Sequence, residues 1–180
     1  MLFRSIQANG PRGIARSAPV TVFTPVPAPE DFLTAGGATE RALILGVDLS
    51  RWRQAADGTT YCNFALVAIT TQLGTPVPQR LATDQIDWLA NPANGWTAVA
   101  NGRQAQALVN QGAYTVVATY RNPGNSHVGT VTPYAWNGNF SDAVGPKISQ
   151  AGILTGYDFN ANVVFGAAGF PNIRYYAKRR

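Results

Sequence analysis

Apolar residues recur at helical spacing in the segment "CNFALVAITTQLG". One stripe occupies positions i, i+3, i+4 and i+7, the spacing of one face of an α-helix: Phe64, Val67, Ala68 and Thr71. Gly74 suits the C-terminal end of such a helix, and the "TPVP" that follows it cannot continue one. The pattern therefore predicts an amphipathic helix that begins at or next to Cys62.

Two further helices are predicted downstream. "ATDQIDWLA" is a short helical segment with Thr83 as its N-cap. "GRQAQALVNQG" carries an apolar stripe and ends at Gly112; its stripe is Ala105, Leu108 and Val109. Upstream, the apolar run over 42–47 in "ERALILGVDLS" fits either a short buried strand or the end of a helix, and the sequence leaves both open.

The second half of the chain is rich in strand-forming residues. "AYTVVATYR" predicts a strand, "NPGNS" a turn and "HVGTVTP" the paired strand. Alternation places His127, Gly129 and Val131 on one face of that strand, and Val128 and Thr130 on the other. "GPKISQAGIL" and "NIRYYAK" predict later strands. The predicted order, with helices first and an antiparallel sheet after them, is typical of the α+β class.

The N-terminal residues differ from the rest. "APVTVFTPVPAPEDF" spaces prolines through apolar residues, which favours an extended conformation and excludes a helix. The sequence therefore predicts an extended Pro-rich arm over residues 1–30, followed by one domain over residues 31–180. We expect the arm to pack against a neighbouring chain.

Composition narrows the function classes. Of 180 residues, 46% are hydrophobic and 13% charged, which supports a real core. The net charge of +5 suits an anionic partner, but the basic residues gather near the two termini, which makes a nucleic-acid-binding module the least favoured reading. One cysteine and one histidine exclude an internal disulfide and a multi-cysteine metal site. The sequence has no apolar run of about 18 residues, so no membrane span is predicted.

The single cysteine and the single histidine suggest one chemistry. A helix start stabilises negative charge, so we expect the pKa of the Cys62 thiol to be lowered. His127 at the start of a strand would supply an imidazole on a stiff support, with space left beside it by Gly129. A thiol next to an imidazole is the arrangement that cysteine acyl-transfer enzymes require. The competing interpretation is a small buried thiol and an unrelated surface histidine.

The segments "TYCNFALVAITTQLG" and "NSHVGTVTP" resemble the papain-like cysteine amidases of bacterial cell walls, the NlpC-type and CHAP group. Members typically carry Cys-Asn at a helix start, and Gly-His before alternating small and β-branched residues on a strand. "GWTAVANGRQAQALVNQGAYTVVATYRNPGNSHVGTVTP" is similar to versions in phage lysins and secreted amidase effectors, and "GPKISQAG" resembles the following strand. The resemblance covers residues 59–177. It implies a papain-like fold, with N-terminal helices packed on a small antiparallel sheet.

The resemblance also implies roles for individual residues. Cys62 matches the nucleophile and His127 the general base. The third member is a polar residue that accepts the Nδ1 proton of the imidazole; Gln150 is preferred, with Asn139 and Asp142 as rivals. The backbone N–H of Cys62 would face the oxyanion. The residues expected to contact substrate are Tyr61, Asn63, Trp96 and Ser126, the last standing where relatives carry a glycine.

These expectations combine into a peptidoglycan-degrading cysteine hydrolase that needs no metal or cofactor. The N-terminal Met1, the lack of a secretory h-region and the predicted arm suggest a phage virion protein that acts on the host cell wall or periplasm. Its partners would be peptidoglycan and, through the arm, other virion proteins. The alternative is a catalytically inactive structural virion protein that retains the amidase-like fold.

Overall fold

A computed structural model describes residues 29–180 of the chain. The predicted arm therefore lies outside the described residues, apart from its last two positions. Five α-helices are described: α1 (Ala35–Leu45), α2 (Cys62–Gln72), α3 (Ala82–Ala90), α4 (Gly102–Asn110) and α5 (Ala161–Gly169). Six strands accompany them: β1 (Thr97–Val99), β2 (Tyr114–Tyr120), β3 (His127–Val131), β4 (Lys147–Gln150), β5 (Gly156–Asn160) and β6 (Arg174–Arg179).

The six strands form one antiparallel sheet in the order β1-β6-β2-β3-β4-β5. The α+β class and the antiparallel sheet predicted from the sequence are confirmed. The β2–β3 hairpin pairs Tyr120 with His127 and Val117 with Thr130, across the turn predicted in "NPGNS". The finer assignment to a papain-like fold stays a prediction.

Helices cover both faces of this sheet. On one face, Val117 and Val128 pack with residues of α2 and α3 and with Trp96. On the other face, Val116 and Val131 pack with residues of α4 and α5. This alternation is the two-residue period of a strand, and it confirms the predicted division of β3 into two faces. A smaller cluster joins α1 to α2 and to the residue after β4.

Helix α2 buries a different face from the one predicted. Its buried apolar residues are Cys62, Ala65, Leu66 and Ile69, followed beyond its end by Leu73. Phe64 is exposed, and Val67 and Ala68 are only half-buried. The predicted apolar stripe that begins at Phe64 is therefore not the face that α2 buries. Both stripes satisfy i, i+3, i+4 and i+7, but the buried one continues to a leucine whereas the other ends in the polar Thr71.

Several local predictions also differ from the structure. The apolar run over 42–47 begins inside α1, so the helical alternative is the right one. Thr83 does not cap α3: the helix starts one residue earlier, and the Thr83 hydroxyl instead donates to Ser126 Oγ at 3.0 Å. Strands β1 and β5 and helix α5 were not predicted. β1 has only three residues, and α5 is interrupted at Gly166, which has φ 63° and ψ 177°.

A buried amide fixes the long connection between β3 and β4. Gln106 of α4 donates through Nε2 to the Thr132 carbonyl at 2.9 Å. Its Oε1 accepts from Trp136 Nε1 at 3.2 Å and from the Lys147 backbone at 3.0 Å. Because burying an amide without partners is costly, this network specifies where the connection runs and hence where β4 enters the sheet.

No α-helix within residues 29–180 has the length and apolar character needed to cross a bilayer; the longest have 11 residues.

Candidate active site

Cys62 is the first residue of α2, and its side chain is buried. It is 4% exposed and packs with Val128 and Val117 of the sheet and with Leu66. The residue before it, Tyr61, supplies no side-chain cap, so the first N–H groups of the helix are not satisfied by a capping side chain. The helix start therefore presents backbone donors beside the sulfur.

Burial raises the pKa of the Cys62 thiol above its usual value, because it penalises the thiolate. The backbone N–H groups of Val128, Asn63 and Cys62 itself act in the opposite direction, since they stabilise the thiolate. The net direction is upward, so the lowered thiol pKa expected from the helix start is a wrong prediction. The helix-start donors are present, but the dry surroundings outweigh them.

His127 is the first residue of β3, and its imidazole lies on the face of the sheet that carries α4 and α5. It stands opposite Tyr120 of β2, and its ring meets the edge of Phe165 of α5 with centroids 5.4 Å apart. Its Nε2 is buried and has no hydrogen-bond partner. Burial lowers the pKa of His127 to about 4, so the ring is neutral at physiological pH.

Gln150 ends β4, next to β3 in the sheet, and its side chain is held from one end. Its Nε2 donates to the carbonyl of Leu154, which leaves Oε1 as the free end of the amide. Oε1 is buried without a partner. The Gln150 side chain raises the pKa of His127, although less than burial lowers it. A raised pKa requires a hydrogen-bond acceptor near the ring, because an acceptor stabilises the protonated imidazole.

Gln150 Oε1 and the His127 ring are close neighbours but are not joined by a hydrogen bond of normal geometry. A Cβ placed on Gly152 would lie 3.2 Å from Oε1 and 3.4 Å from the ring carbon Cε1. Both groups thus border the same glycine. A small rotation of the ring or the amide would let the unpaired Nε2 donate to the unpaired Oε1, and each would then be satisfied.

The structure brings Cys62 to the backbone beside His127 but not to its ring. The sulfur contacts the N–H of Val128, the next residue along β3. Consecutive side chains of a strand point to opposite faces, so Val128 faces α2 whereas His127 faces α5. No hydrogen bond joins the Cys62 sulfur to either imidazole nitrogen of His127.

A cavity of about 460 Å³ opens at the imidazole and the amide. His127, Gln150 and Gly152 border it, and so does Thr60, which lies two residues before the first residue of α2. Cys62 itself does not line it. The remaining walls come from the loop after β4, from α5, and from Tyr120 and Asn125 of the β2–β3 hairpin. The cavity volume lies within the range of small-molecule sites.

Two of the predicted substrate-binding residues are structural in this arrangement. Asn63 is buried, and its Nδ2 donates to the carbonyl of Arg80 at 2.7 Å, which anchors the segment between α2 and α3. Trp96 is 3% exposed within the core cluster that contains Cys62, and its indole N–H has no partner. Neither side chain borders the cavity at His127.

The other two predicted substrate-binding residues, Tyr61 and Ser126, directly precede Cys62 and His127 in the chain. Tyr61 is half-buried, with its ring edge-on to Phe64 at 5.8 Å. Ser126 precedes His127, and its hydroxyl donates to the Asn122 carbonyl at 3.2 Å, which closes the turn between β2 and β3. Ser126 therefore holds the turn that delivers His127 to β3.

The rivals for the third catalytic position are placed elsewhere. Asp142 pairs with Arg103 of α4 at 3.1 Å, and Asn139 donates to the Asn137 carbonyl at 3.4 Å. Neither borders the cavity, whereas Gln150 does. Among the described residues, no group of three or more His, Cys, Asp or Glu side chains is placed to hold a metal ion.

Sequence reasoning missed the residues that surround the imidazole. Gly152 borders both His127 and Gln150, and Phe165 packs on the ring. The strand predicted over "GPKISQAGIL" ends at Gln150 in the structure, and the glycine within that run is the sequence signal that indicates the loop. For Phe165 the sequence carried no usable signal, because α5 was not predicted.

A scan against models of known protein families finds no match for this sequence, and a search of the curated proteins finds no significant relative. The resemblance to the NlpC-type and CHAP group therefore rests on the motifs themselves.

Proposed function

We propose that this protein is a cysteine hydrolase that cleaves an amide bond in bacterial peptidoglycan. One observation carries the proposal: an unpaired imidazole nitrogen and an unpaired amide oxygen lie side by side at a cavity, next to the backbone that contacts the only cysteine. Buried polar groups without partners are uncommon in proteins, and functional sites are where they are expected.

In the proposed reaction His127 acts as a base towards Cys62, with Gln150 holding the ring. If Nε2–H donates to Gln150 Oε1, Nδ1 is left as the basic nitrogen. This is the reverse of the tautomer expected from the sequence, because the buried and unpaired nitrogen is Nε2. Burial keeps both the imidazole and the thiol neutral at pH 7, so the proton leaves the sulfur during attack instead of beforehand.

The bond changes then follow a two-step acyl transfer. The sulfur attacks the carbonyl carbon while its proton passes to Nδ1, and the backbone N–H of Cys62 faces the oxyanion. The C–N bond breaks as the imidazolium returns that proton to the leaving amine. Water attacks the thioester, giving its proton to Nδ1, and the acid is released as the thiol re-forms.

This chemistry requires the sulfur and the ring to meet at the edge of β3. Because Cys62 packs on the α2 face of the sheet and His127 on the α5 face, the proposed reaction requires the two side chains to meet around the first residue of β3. Peptidoglycan as substrate is supported by the motif resemblance and by the net charge of +5, which favours an anionic polymer.

The deciding experiment is digestion of purified peptidoglycan, with mass analysis of the released fragments. The full chain should release fragments with new amine and carboxylate ends, and Cys62→Ala and His127→Ala should each release none. Because the pair acts as a unit, the double variant should be no worse than either single one. Asn139→Ala is the matched control, since Asn139 lies away from the cavity. Intact peptidoglycan after prolonged incubation would contradict the proposal.

A second function, a structural virion protein with an inactive site, is favoured by one observation. Cys62 is 4% exposed in a core cluster, and its sulfur forms no hydrogen bond with His127. Alkylation with iodoacetamide separates the two proposals. A working nucleophile should react in the native protein at pH 7 to 8, whereas a core thiol should react only as fast as the protein unfolds.

We also propose that the predicted arm over residues 1–30 joins this protein to other virion proteins, because of its proline spacing. Removal of residues 1–28 should leave thermal unfolding unchanged and abolish incorporation into particles. A truncated chain that does not fold would contradict this partner assignment.

A further inference from the structure

The cavity at His127 is uncharged, unlike two other cavities of the described residues. No Asp, Glu, Lys or Arg side chain lines it. By contrast, a cavity of about 630 Å³ near the ends of β2 and β6 contains Arg121, Asp87 and Arg174. A second one, at the start of α4, contains Arg103 and Asp142. The imidazole is itself neutral at pH 7, because its pKa lies at about 4. A charged group entering this cavity would lose water without gaining a partner charge.

Exposed apolar side chains gather at the rim of this cavity. Seven large apolar side chains are exposed among the described residues, and three of them line it: Ile153 at 80%, Val163 at 54% and Leu154 at 38%. Single exposed apolar residues are ordinary, but a cluster around a cavity is a feature of binding sites. The rim therefore has apolar surface available for a ligand.

Both walls are held in place without a ligand. The loop after β4 is closed by Thr155, whose hydroxyl donates to the Gly152 carbonyl at 3.1 Å and accepts from the Gly152 N–H at 3.2 Å. Gln150 ties the same loop through Leu154. The opposite wall is α5, where Phe165 is fixed against the His127 ring. An apolar group would enter a preformed space, which reduces the entropy lost on binding.

We infer that this cavity binds an uncharged aliphatic side chain of the substrate, directly beside the scissile amide. The inference rests on the proposed hydrolase function, and it narrows the substrate class: acidic groups of a wall peptide must lie outside the cavity. Ile153, Leu154 and Val163 are the specificity-determining residues, and they contact the side chain and not the reacting atoms.

Binding can be tested without any turnover. His127 is the only histidine, so its ring Hε1 NMR resonance is unambiguous. In the Cys62→Ala protein at pH 7, N-acetyl-leucinamide should shift this resonance in a saturable way, and N-acetyl-alaninamide should do so more weakly. The N-acetyl amide of glutamate, with a free side-chain carboxylate, should bind at least about tenfold more weakly than the leucine compound.

Variants of the rim assign the effect to the cavity. Ile153→Asp and Val163→Asp should each weaken leucinamide binding at least about tenfold, since each places a charge on an apolar wall. Phe32→Asp is the matched control: Phe32 is 51% exposed and does not line the cavity, so binding should stay unchanged. These are exposed positions, so the fold should tolerate all three changes.

The outcomes separate this inference from the proposed function. Equal binding of the leucine and glutamate compounds, absence of binding, or wild-type binding by both rim variants would overturn the inference. Selective binding without peptidoglycan cleavage would support the inference and remove the hydrolase function. Cleavage that shows no preference for an aliphatic residue at the cut site would leave the hydrolase function standing and overturn the inference.

Discussion

Glu40 of α1 and His127 of β3 are both buried ionisable residues with polar atoms that lack hydrogen-bond partners. Burial raises the pKa of Glu40 to about 8 and lowers the pKa of His127 to about 4. The surroundings differ. Glu40 is 0% exposed and faces Arg180, whose Nη2 lies 3.2 Å from Oε2, an ion-pair distance without hydrogen-bond geometry. His127 faces a cavity and an amide oxygen.

The comparison shows that a displaced pKa does not by itself identify a functional site. Desolvation shifts both groups towards their neutral forms, whatever they do. What distinguishes His127 is the space beside it and the unpaired Gln150 oxygen, because a substrate needs both access and a positioned base. Glu40 borders none of the three cavities described above, so we assign it a structural role.

The largest expected difference between the two residues is in hydrolysis. His127→Ala should lower kcat/KM on peptidoglycan by a factor on the order of 10³, because it removes the general base. Glu40→Gln, which keeps the shape of the side chain, should leave the rate within about twofold. Release of soluble fragments by matched amounts of folded protein measures both. If both variants lost a comparable share of the hydrolysis rate, the assignment of His127 to the site and of Glu40 to a structural role would be wrong.

The next largest effect is on the pH dependence of stability, where the two residues act in opposite directions. Between pH 4.5 and about 8, native Glu40 keeps a proton that the unfolded chain has released, so stability falls as pH rises. Between about pH 4 and 6.5, native His127 lacks a proton that the unfolded chain binds, so stability rises with pH. The two contributions should oppose each other from about pH 4.5 to 6.5.

Denaturant unfolding of the variants should separate these contributions. Relative to wild type, Glu40→Gln should gain stability steadily from about pH 5 to 8, by up to a few kcal/mol. His127→Ala should gain stability relative to wild type as pH falls from about 6.5 to 4. Each residue is thus the control for the other. Variants whose stability runs parallel to wild type across the whole range would show that these groups do not titrate as described.

A smaller effect is expected from filling the space between the imidazole and the amide. The methyl of Gly152→Ala would lie against Gln150 Oε1 and His127 Cε1, so it should hinder their alignment and slow hydrolysis about tenfold. Gly46→Ala is the control, because a methyl there meets only backbone oxygens of α1 at 3.4 and 3.5 Å. NMR titration of the single histidine should also show a changed pKa in Gly152→Ala alone. An unchanged rate and pKa would remove Gly152 from the site.

The smallest effect concerns the charge opposite Glu40. The Arg180 guanidinium lowers the pKa of Glu40, in opposition to burial. Arg180→Gln should therefore destabilise the protein by about 1 kcal/mol more at pH 9, where Glu40 is ionised, than at pH 5. The His127 NMR titration should not change. Equal destabilisation at both pH values would mean that Arg180 acts through packing alone.

The sequence predicted one half of the candidate site better than the other. The β2–β3 hairpin and the face of His127 followed from local alternation and turn composition, which are properties of neighbouring residues. The burial of Cys62 depends on Val128 and Trp96, which come from elements distant in the chain. Burial therefore raises the thiol pKa, whereas a helix start alone predicts a lowered one. Likewise, the choice between the two stripes of α2 depended on tertiary packing.

The position of β6 between β1 and β2 has a consequence for how the protein folds. β2, β3 and β4 pair with strands next to them in the chain, whereas Thr97 of β1 pairs with Ala177 of β6, and Tyr114 of β2 with Arg179. Distant pairings close large loops and form slowly. We expect pulse-labelled amides of β3 to gain protection from hydrogen exchange before those of β6. The hairpin that carries His127 would then form first, and the last strand would lock the sheet around it.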